Sequence, residues 1–364
     1  MRRSHPWGGT VWGTGPAPIP PDVRLRRSDV HGSGYRRRGA GRGFAYYDED
    51  GALIRDERLD RIRALAIPPA WRDVWICPWP NGHIQATGVD AAGRRQYRYH
   101  DAWRARRDAA KHERVLEFAQ QLPDVRDAVV EAITGTGLSR DRVLAAAVRL
   151  LDLGMFRVGS EQYAEENGTY GLATLRREHV RVRGERVFFD YTAKGGVERE
   201  VELVDEPTAA VVRELLARPE EAGEELLGYW LDDPAGAGTH KAWHDVSSTE
   251  VNAYLKEISG AEITAKDFQT WNATVLMAAR LAETPAPKSR TGRKKAVRAA
   301  YATVSEQLGN TPAVCRASYV DPRVVDRYED GETIADAVEQ AAKAPDDRAA
   351  QRALEAAVCA LLAS

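Results

Sequence analysis

The sequence predicts an α+β protein, in which a small and mainly β N-terminal domain precedes a larger, mainly helical domain that carries a small three-stranded sheet. Three observations support this prediction. Short alternations of apolar and polar residues between turn residues fill 43–104, and apolar residues at helical spacing dominate 105–328. Alternation returns once inside the helical region, at 179–204. A chain of 364 residues is also long enough for two cores.

Residues 1–42 are expected to form a flexible basic arm. Its first half is rich in Gly, Pro and Trp without periodicity, and the segment HGSGYRRRGAGRG continues this composition. The first 43 residues hold nine arginines against two aspartates. Such a segment need not fold alone, and its charge suits contact with phosphates.

Residues 43–104 are predicted to form the β-rich N-terminal domain. FAYYDEDGALI reads as a hairpin that turns at Asp50-Gly51, and DVWICPWP, HIQATGVD and RRQYRYH follow as strands between turn residues. Asp48 and Asp50 could be half of a metal site, but a hairpin turn is the better explanation of their position.

Residues 105–328 are predicted to form the catalytic domain, and residues 329–364 a helical C-terminal tail. Apolar residues recur at three and four spacing in DAWRARRDAAKHERVLEFAQQL, DVRDAVVEAITG and SRDRVLAAAVRLLDLGMF. The later stretch HVRVRGERVFFDYTAKGGVEREVELV turns once at RGE and once at KGG, which predicts three strands and places Lys194 at the tip of a hairpin. Helical spacing then resumes.

Composition excludes several classes of protein. The 52 basic and 54 acidic residues nearly cancel, so whole-chain charge does not indicate a nucleic-acid partner, although 288–298 places six cations in eleven residues without an acid. Three widely separated cysteines fit neither a disulfide framework nor a metal site, and they favour a cytoplasmic protein. No apolar stretch of membrane-spanning length is present. The G-x-x-x-x-G-K phosphate loop is also absent, so ATP is not expected to be required. No cofactor is predicted.

Three residues in separate segments suit phosphodiester chemistry. Tyr319 lies in LGNTPAVCRASYVDP, Arg157 in FRVGSEQY and Lys194 in YTAKGG. A phenol has an unperturbed pKa of about 10 and is a poor nucleophile at neutral pH, so it needs cations that neutralise the phosphate and an acid that protonates the leaving oxygen. Arg157 and Lys194 could supply both. Taken singly, the three also read as a surface arginine, a turn lysine and a core aromatic.

Together these segments resemble the type IB DNA topoisomerases of the poxvirus and bacterial branch, over roughly residues 40 to 325. GRRQYRYH resembles the family's N-domain strand that contacts DNA, and FRVGSEQY with ENGTYGLATLRREHV resembles the segment around its first catalytic arginine. AKGG, AKDFQTW and LGNTPAVCRASYV follow in the family's order and at similar spacing. The resemblance implies the catalytic fold that these topoisomerases share with tyrosine recombinases.

The resemblance also implies a role for each matching residue. Tyr319 is implied to be the nucleophile that joins a DNA 3′-phosphate and releases a 5′-hydroxyl strand, whose rotation relaxes supercoils before resealing. Arg157 would contact the nonbridging oxygens, and Lys194 would protonate the departing 5′ oxygen, with Lys266 as a second participant in proton transfer. Asn310 takes a position where many members have His and others Asn, and its amide can donate to a nonbridging oxygen.

Gln269 departs from the family pattern, because a second catalytic arginine is expected at this position. A guanidinium offers a fixed charge and bidentate donors, whereas an amide offers a neutral NH₂ group. Losing one preorganised donor costs on the order of 10²–10³ in rate. Reduced activity is therefore expected, unless Arg316, Arg290 or Arg293 supplies the missing charge.

The resemblance implies duplex DNA as the partner, held by a monomer that forms a two-domain clamp in the cytoplasm, with the nucleoid. Phosphate contacts would come from the arm around 36–42 and from basic residues further on. The matching or basic residues expected at DNA are Gln96, Tyr97, Tyr99, Tyr163, Arg94, Arg95, Lys294 and Lys295. Without the resemblance, strand packing would be the preferred interpretation of the tyrosines.

Three alternatives remain open at the level of sequence. Because of Gln269, the first is a catalytically impaired relative that binds DNA. The second is a tyrosine recombinase, but the His-x-x-Arg box usual in that class is absent and the GRRQYRYH type of N-domain is foreign to it. The third, a metal-dependent nuclease or type IA enzyme, would need clustered carboxylates for Mg²⁺.

Overall fold

The computed structural model describes residues 23–159, 168–231, 242–283 and 286–364. The chain separates into two compact units, with the division between Lys111 and His112. This division lies within a long helix, Asp101–Ile133, that also contains the boundary predicted at 104/105.

The N-terminal unit is a five-stranded antiparallel sheet with one short helix. Its elements are β1 (Tyr35–Ala40), β2 (Gly43–Tyr47), α1 (Arg58–Ala64), β3 (Arg72–Ile76), β4 (Ile84–Val89) and β5 (Arg95–Tyr99). The strand order is β2-β1-β3-β4-β5, which leaves β5 at one edge. Tyr35, Ile54, Ile62 and Ile76 form its small core. A mainly β N-terminal domain, as predicted, is therefore present.

The prediction of a flexible arm through residue 42 is wrong for Tyr35–Ala40, which pairs with two neighbours as β1. Arg37 gives the physical reason. Its guanidinium donates to the carbonyls of Pro68 (3.1 Å) and Trp71 (2.6 Å), and it lies over the Phe44 ring at 4.1 Å. Arginine stems and donors here are part of the packing, although composition counts them as solvated charge. Residues 1–22 of the predicted arm lie outside the described residues.

The hairpin turn predicted at Asp50-Gly51 is confirmed. Gly51 has a φ of 81° and donates to the Asp48 carbonyl at 3.1 Å. The Asp48 carboxylate accepts from the Ala52 N–H at 2.8 Å, so this acid stabilises the turn, as the sequence indicated.

The C-terminal unit is mainly helical. Its helices are α2 (Asp101–Ile133, which begins in the N-terminal unit), α3 (Arg140–Gly154), α4 (Glu206–Ala217), α5 (Ser248–Ser259), α6 (Ala265–Ala282), α7 (Arg290–Gln307), α8 (Pro312–Ser318), α9 (Pro322–Asp330), α10 (Ala335–Ala341) and α11 (Asp347–Ala363). Two helices predicted at the start of this unit are one, because α2 continues through Pro123. Helix α3 is buried along most of its length and packs against α4, α5 and α6.

The predicted three-stranded sheet is confirmed. It consists of β6 (Val180–Arg183), β7 (Arg186–Ala193) and β8 (Val197–Val204) in that order. A second, two-stranded sheet, β9 (Gly228–Trp230) with β10 (Trp243–Asp245), was not predicted. The predicted α+β class, with a helical catalytic domain after a β domain, therefore holds. None of the helices in the described part of the chain combines the length and apolar character needed to cross a bilayer.

Arg126 of α2 connects the C-terminal helix to the core through two buried ion pairs. Its guanidinium donates to both carboxylate oxygens of Asp152 on α3 (2.8 and 2.8 Å) and of Glu355 on α11 (2.7 and 2.9 Å). Burial on its own lowers the pKa of Arg126, but hydrogen bonds with the two carboxylates outweigh burial and raise it. Asn272 of α6 donates to the Asp152 carbonyl at 2.8 Å, so α6 joins the same network.

We expect Arg126→Met to lower the free energy of unfolding by about 3–5 kcal/mol, because the Asp152 carboxylate would remain buried without its partner. Urea unfolding followed by circular dichroism measures the change. Arg348→Ala is the control, since its pair with Asp127 spans 3.6 Å between exposed side chains and should be worth less than about 1 kcal/mol. Equal losses in the two variants would contradict a stabilising role for the buried network.

Candidate active site

Arg157 leaves the core directly after the buried end of α3. The helix ends at Gly154, and Met155 is in the left-handed region with a φ of 52°. Phe156 is fully buried and packs edge-on against Phe189 of β7, with ring centroids 4.8 Å apart. Because its neighbour is anchored in the core, the backbone position of Arg157 is well defined.

Two glycines allow the backbone that follows Arg157 to pack closely against a neighbouring segment. Gly159 has a φ of 84°, and a Cβ on Gly171 would lie 2.5 Å from the Gly159 Cα, which no side chain allows. This close approach lets the Leu172 N–H donate to the Arg157 carbonyl at 2.8 Å. Arg157 therefore stands just beyond the end of α3, with backbone contacts on both sides.

Lys194 occupies the tip of the β7–β8 hairpin, as predicted. The strands pair as far as Ala193 and Val197, and Lys194 begins the intervening loop. Gly195 and Gly196 have φ values of 89° and 73°, which a loop this short requires. Lys194 is exposed there.

Helix α6 presents Lys266 and Gln269 one turn apart. The Asp267 carboxylate stabilises the start of this helix, because it accepts from the N–H and the hydroxyl of Thr264, the N-cap residue, at 2.8 and 2.7 Å. Lys266 is exposed, whereas Gln269 is buried. The Gln269 Nε2 lies 3.5 Å from the Met155 carbonyl, at the outer limit of a hydrogen bond.

Tyr319 follows the last residue of α8. The chain changes direction before this helix, where Gly309 has a φ of 60° and the Thr311 hydroxyl caps α8. The Thr274 hydroxyl of α6 lies 3.4 Å from the Tyr319 carbonyl and accepts from the Asp321 N–H at 3.1 Å. The backbone on both sides of the Tyr319 ring is thus held, while its hydroxyl makes no hydrogen bond with a described residue.

Asn310 stands beside Arg157. The Arg157 Nη2 donates to the Gly309 carbonyl at 3.1 Å and to the Asn310 Oδ1. The guanidinium donates to the amide oxygen, so the Nδ2 group is the part of the Asn310 side chain that could donate to a ligand. This buried donor has no partner among the described residues. An unsatisfied buried donor costs about 1–3 kcal/mol. An incoming anionic oxygen would relieve that cost.

Cys315 is not a rival nucleophile, although it precedes Tyr319 by one helical turn. Its thiol is buried, and burial raises the pKa to about 11. The thiol therefore stays protonated near neutral pH.

Most of the predicted catalytic residues converge on one cleft of about 360 Å³. Its lining includes Arg157, Lys194, Lys266, Gln269 and Tyr319. Asn310, the sixth predicted residue, is joined to the group through Arg157. The end of α3, a hairpin, the first turns of α6 and the end of α8 thus bring three cations and a phenol together.

The proposed substitutes for the missing second arginine do not reach this cleft. Arg290, Arg293 and Arg316 are not among its described lining residues. Arg293 instead donates to the Pro287 carbonyl at 3.0 Å and to the Glu329 carbonyl. The expectation that one of the three takes the place of a guanidinium at 269 finds no support in the geometry.

Strand β5 of the N-terminal unit separates the residues expected at DNA into two faces. Alternation along the strand puts Arg95, Tyr97 and Tyr99 on one face, where the two tyrosine rings stack with centroids 6.0 Å apart. Gln96 is on the other face and donates to the Asp90 carboxylate at 2.9 Å.

The remaining residues expected at DNA are placed as follows. Arg94 pairs with Asp90 at 3.0 Å, so its charge is already balanced. Lys294 and Lys295 are exposed in the first turns of α7. Tyr163 lies outside the described residues.

Two family models match the chain. The model for the catalytic core of eukaryotic DNA topoisomerase I matches residues 100–346, and the model for the N-terminal domain of bacterial DNA topoisomerase IB matches residues 43–90. The chain belongs to the type IB DNA topoisomerase family. Members of this family are DNA-binding isomerases, and the two matches agree with the predicted order of a β-rich N-terminal domain and a catalytic domain.

Individual topoisomerases show the same relationship. The chain is 29% identical to DNA topoisomerase 1B of Acanthamoeba polyphaga mimivirus over 298 residues, which cover 81% of this chain and 87% of that protein. It is 21% identical to DNA topoisomerase 1B of vaccinia virus (strain Copenhagen) over 251 residues, or 67% of this chain and 72% of the other. DNA topoisomerase 1 of Daucus carota is 25% identical over 168 residues, which are 46% of this chain and 19% of that longer protein.

Sequence reasoning missed two groups of residues that the topoisomerase places near these sites. Arg199 and Thr274 contact the backbone around the cleft, and only the fold shows this. In the N-terminal unit, a pocket of about 310 Å³ beside Tyr99 is lined by Trp103, Arg104 and Arg107. Trp103 and Arg107 are one helical turn apart, shortly after Tyr99 in the sequence, and this spacing was the available signal.

Proposed function

We propose that this topoisomerase relaxes supercoiled duplex DNA by cleaving one strand through a 3′-phosphotyrosyl intermediate and resealing it, without ATP. One observation carries the proposal. A phenol, three cations and two amides from separate elements of the C-terminal unit meet around one cleft, whose size suits a phosphodiester. The arrangement provides a nucleophile, charge stabilisation and a proton donor within one site.

Each residue has a part in the proposed step. The Tyr319 oxygen attacks phosphorus and its proton passes to solvent water, while the bond from phosphorus to the 5′ oxygen breaks. Lys194, on its exposed tip, protonates that oxygen, with Lys266 as the second participant. Arg157 and the spare N–H of Asn310 donate to the nonbridging oxygens. Religation reverses these events, so the phosphodiester bond energy is conserved and no nucleotide is consumed.

A catalytically impaired, DNA-binding relative is the second candidate, and Gln269 favours it. This side chain is buried, neutral and close to the Met155 carbonyl, so it brings no charge to the phosphate. A tyrosine recombinase is a weaker candidate, because the match to the bacterial topoisomerase N-terminal domain concerns a module that this class does not need.

The proposed partner is duplex DNA, clamped by a single chain in the cytoplasm, with the nucleoid. The stacked tyrosines of β5 and the exposed lysines of α7 support contact with DNA, mainly at phosphates.

Plasmid relaxation in EDTA without ATP tests the proposal. Stepwise relaxation by the native chain is expected, since no step uses a metal or a nucleotide. Retained duplex binding without relaxation would favour the impaired relative. Site-specific exchange of strands between two duplexes would favour a recombinase.

Arg95 and Arg94 offer a matched comparison for the DNA interface. We expect Arg95→Ala to reduce the slope of log affinity against log salt by about 0.9, the value for one lost phosphate contact. Arg94→Ala should change it less, because Asp90 already balances the Arg94 charge at 3.0 Å. Fluorescence anisotropy of a labelled duplex at several salt concentrations measures both slopes. A larger effect at Arg94 would reverse the assignment.

A further inference from the structure

Arg199 of β8 is a buried arginine whose guanidinium joins the ends of two helices. The residue is 8% exposed. The Nη2 donates to the carbonyls of Gly154 (2.9 Å) and Gln307 (3.0 Å), and the Nη1 donates to that of Met155 (3.1 Å). Gly154 and Gln307 are the last residues of α3 and α7, where carbonyls lack helical partners and carry partial negative charge.

These two helix ends lead directly to the residues proposed to contact the phosphate. Arg157 follows the α3 end, and Asn310 follows the α7 end. Arg157 and Asn310 contact each other, so Arg199 and Arg157 bridge the same pair of segments from different sides. Moving either segment would change the distance between the Arg157 guanidinium and the Asn310 amide.

A buried cation at this place is costly, which argues that its contacts matter. Burial lowers the pKa of Arg199, and the nearby charge of Arg157 lowers it further. The Tyr191 side chain acts in the opposite direction and raises this pKa. The three carbonyls and the Phe156 ring, 5.5 Å away, also compensate for the lost hydration. Only a guanidinium can supply this planar set of donors, because an ammonium is a point charge with a different reach.

We infer that Arg199 is a positioning residue, which holds Arg157 and Asn310 at the separation needed to bind the nonbridging oxygens of one phosphate. This inference rests on the proposed function and adds a residue that acts through others, without touching DNA. Gln269 belongs to the same set of contacts, because its Nε2 and the Arg199 guanidinium both approach the Met155 carbonyl.

The test compares Arg199→Lys and Arg199→Gln with Arg186→Gln, a control on the same sheet whose pair with Glu202 is exposed. Single-turnover cleavage of a labelled duplex should slow about 100-fold in both Arg199 variants, as expected for misplaced catalytic groups. Duplex affinity should stay within about twofold, because phosphate contacts elsewhere dominate it. Thermal unfolding identifies the folded fraction, and rates are expressed per folded molecule.

A double-mutant cycle separates positioning from a general structural role. If Arg199 acts through Asn310, Arg199→Gln with Asn310→Ala should cost little more than the larger single loss. Additive losses, or a native cleavage rate in Arg199→Lys, would overturn the inference.

If the proposed function itself is wrong, the native chain will cleave no duplex, and this outcome differs from those that would overturn the inference about Arg199. Calorimetric binding of orthovanadate, a tetrahedral oxyanion, then replaces cleavage as the readout. Arg199→Lys should weaken that binding about tenfold, the size of one lost hydrogen bond to a charged group, while Arg186→Gln leaves it unchanged. Equal vanadate affinity in native chain and Arg199→Lys would overturn the inference.

Discussion

Tyr319→Phe should abolish strand cleavage while leaving duplex affinity within about twofold of native, since affinity is carried mainly by cations at phosphates. The variant loses only the oxygen that forms the bond to phosphorus. The structure supports a clean substitution, because the hydroxyl makes no hydrogen bond with a described residue and the backbone is held through Thr274. Covalent adducts between the chain and a labelled strand, trapped with denaturant, measure cleavage, and anisotropy measures affinity.

Tyr328→Phe is the matched control for Tyr319→Phe. Its hydroxyl is buried in α9 and has no partner in the described part of the chain, so removing it should leave cleavage unchanged. Adduct formation by Tyr319→Phe at the native rate would exclude Tyr319 as the nucleophile. Loss of cleavage in both variants would point to damage of the helical unit.

The predicted catalytic positions are recoverable from sequence where a local signal fixes them. The KGG turn after alternating residues placed Lys194 on a hairpin tip, and glycines with φ of 89° and 73° are the physical reason. Gly309 followed by Thr311-Pro312 is an equally local signal, which marks the break between α7 and α8.

What sequence could not predict depends on contacts between distant segments. Arg199 read as one charge in an alternating strand, yet its donors reach carbonyls at the ends of two helices far from it along the chain. The wrong prediction of a flexible arm around Arg37 has the same cause, because the carbonyl partners of Arg37 lie some thirty residues further on. In both cases a guanidinium satisfies buried backbone, which a pattern of charges does not show.

Whether another residue replaces the guanidinium missing at Gln269 could be judged only from the fold. The sequence showed that a guanidinium was missing and suggested three arginines as substitutes. Two of them, Arg290 and Arg293, lie in α7, and Arg316 lies in α8. None of them is among the described residues lining the cleft. A buried arginine from the sheet, Arg199, instead donates to the carbonyl of Met155, two residues before Arg157. The Arg199 guanidinium makes three hydrogen bonds to backbone carbonyls, and Arg199 is not among the described residues lining the cleft, so it can position Arg157 but does not replace a donor at the phosphate.

Arg157→Ala should therefore be unusually damaging, with a loss in single-turnover cleavage above the 10²–10³ typical of one preorganised donor. Arg157 is the one arginine among the described residues that line the cleft. Removing it also frees Asn310, whose oxygen it binds, so two donors to the phosphate are disturbed at once.

Arg157→Lys distinguishes charge from geometry at the same position. An ammonium keeps the charge but cannot contact Gly309, Asn310 and a phosphate together, so we expect about a tenfold to hundredfold loss, between the native chain and alanine. Arg181→Ala, an exposed arginine of β6, is the control and should cleave normally. Cleavage by Arg157→Ala within tenfold of native would mean that the two lysines and the Asn310 amide suffice for the phosphate charge. In that event the neutral residue at 269 would cost this topoisomerase little, because charge near the phosphate would not limit its cleavage step.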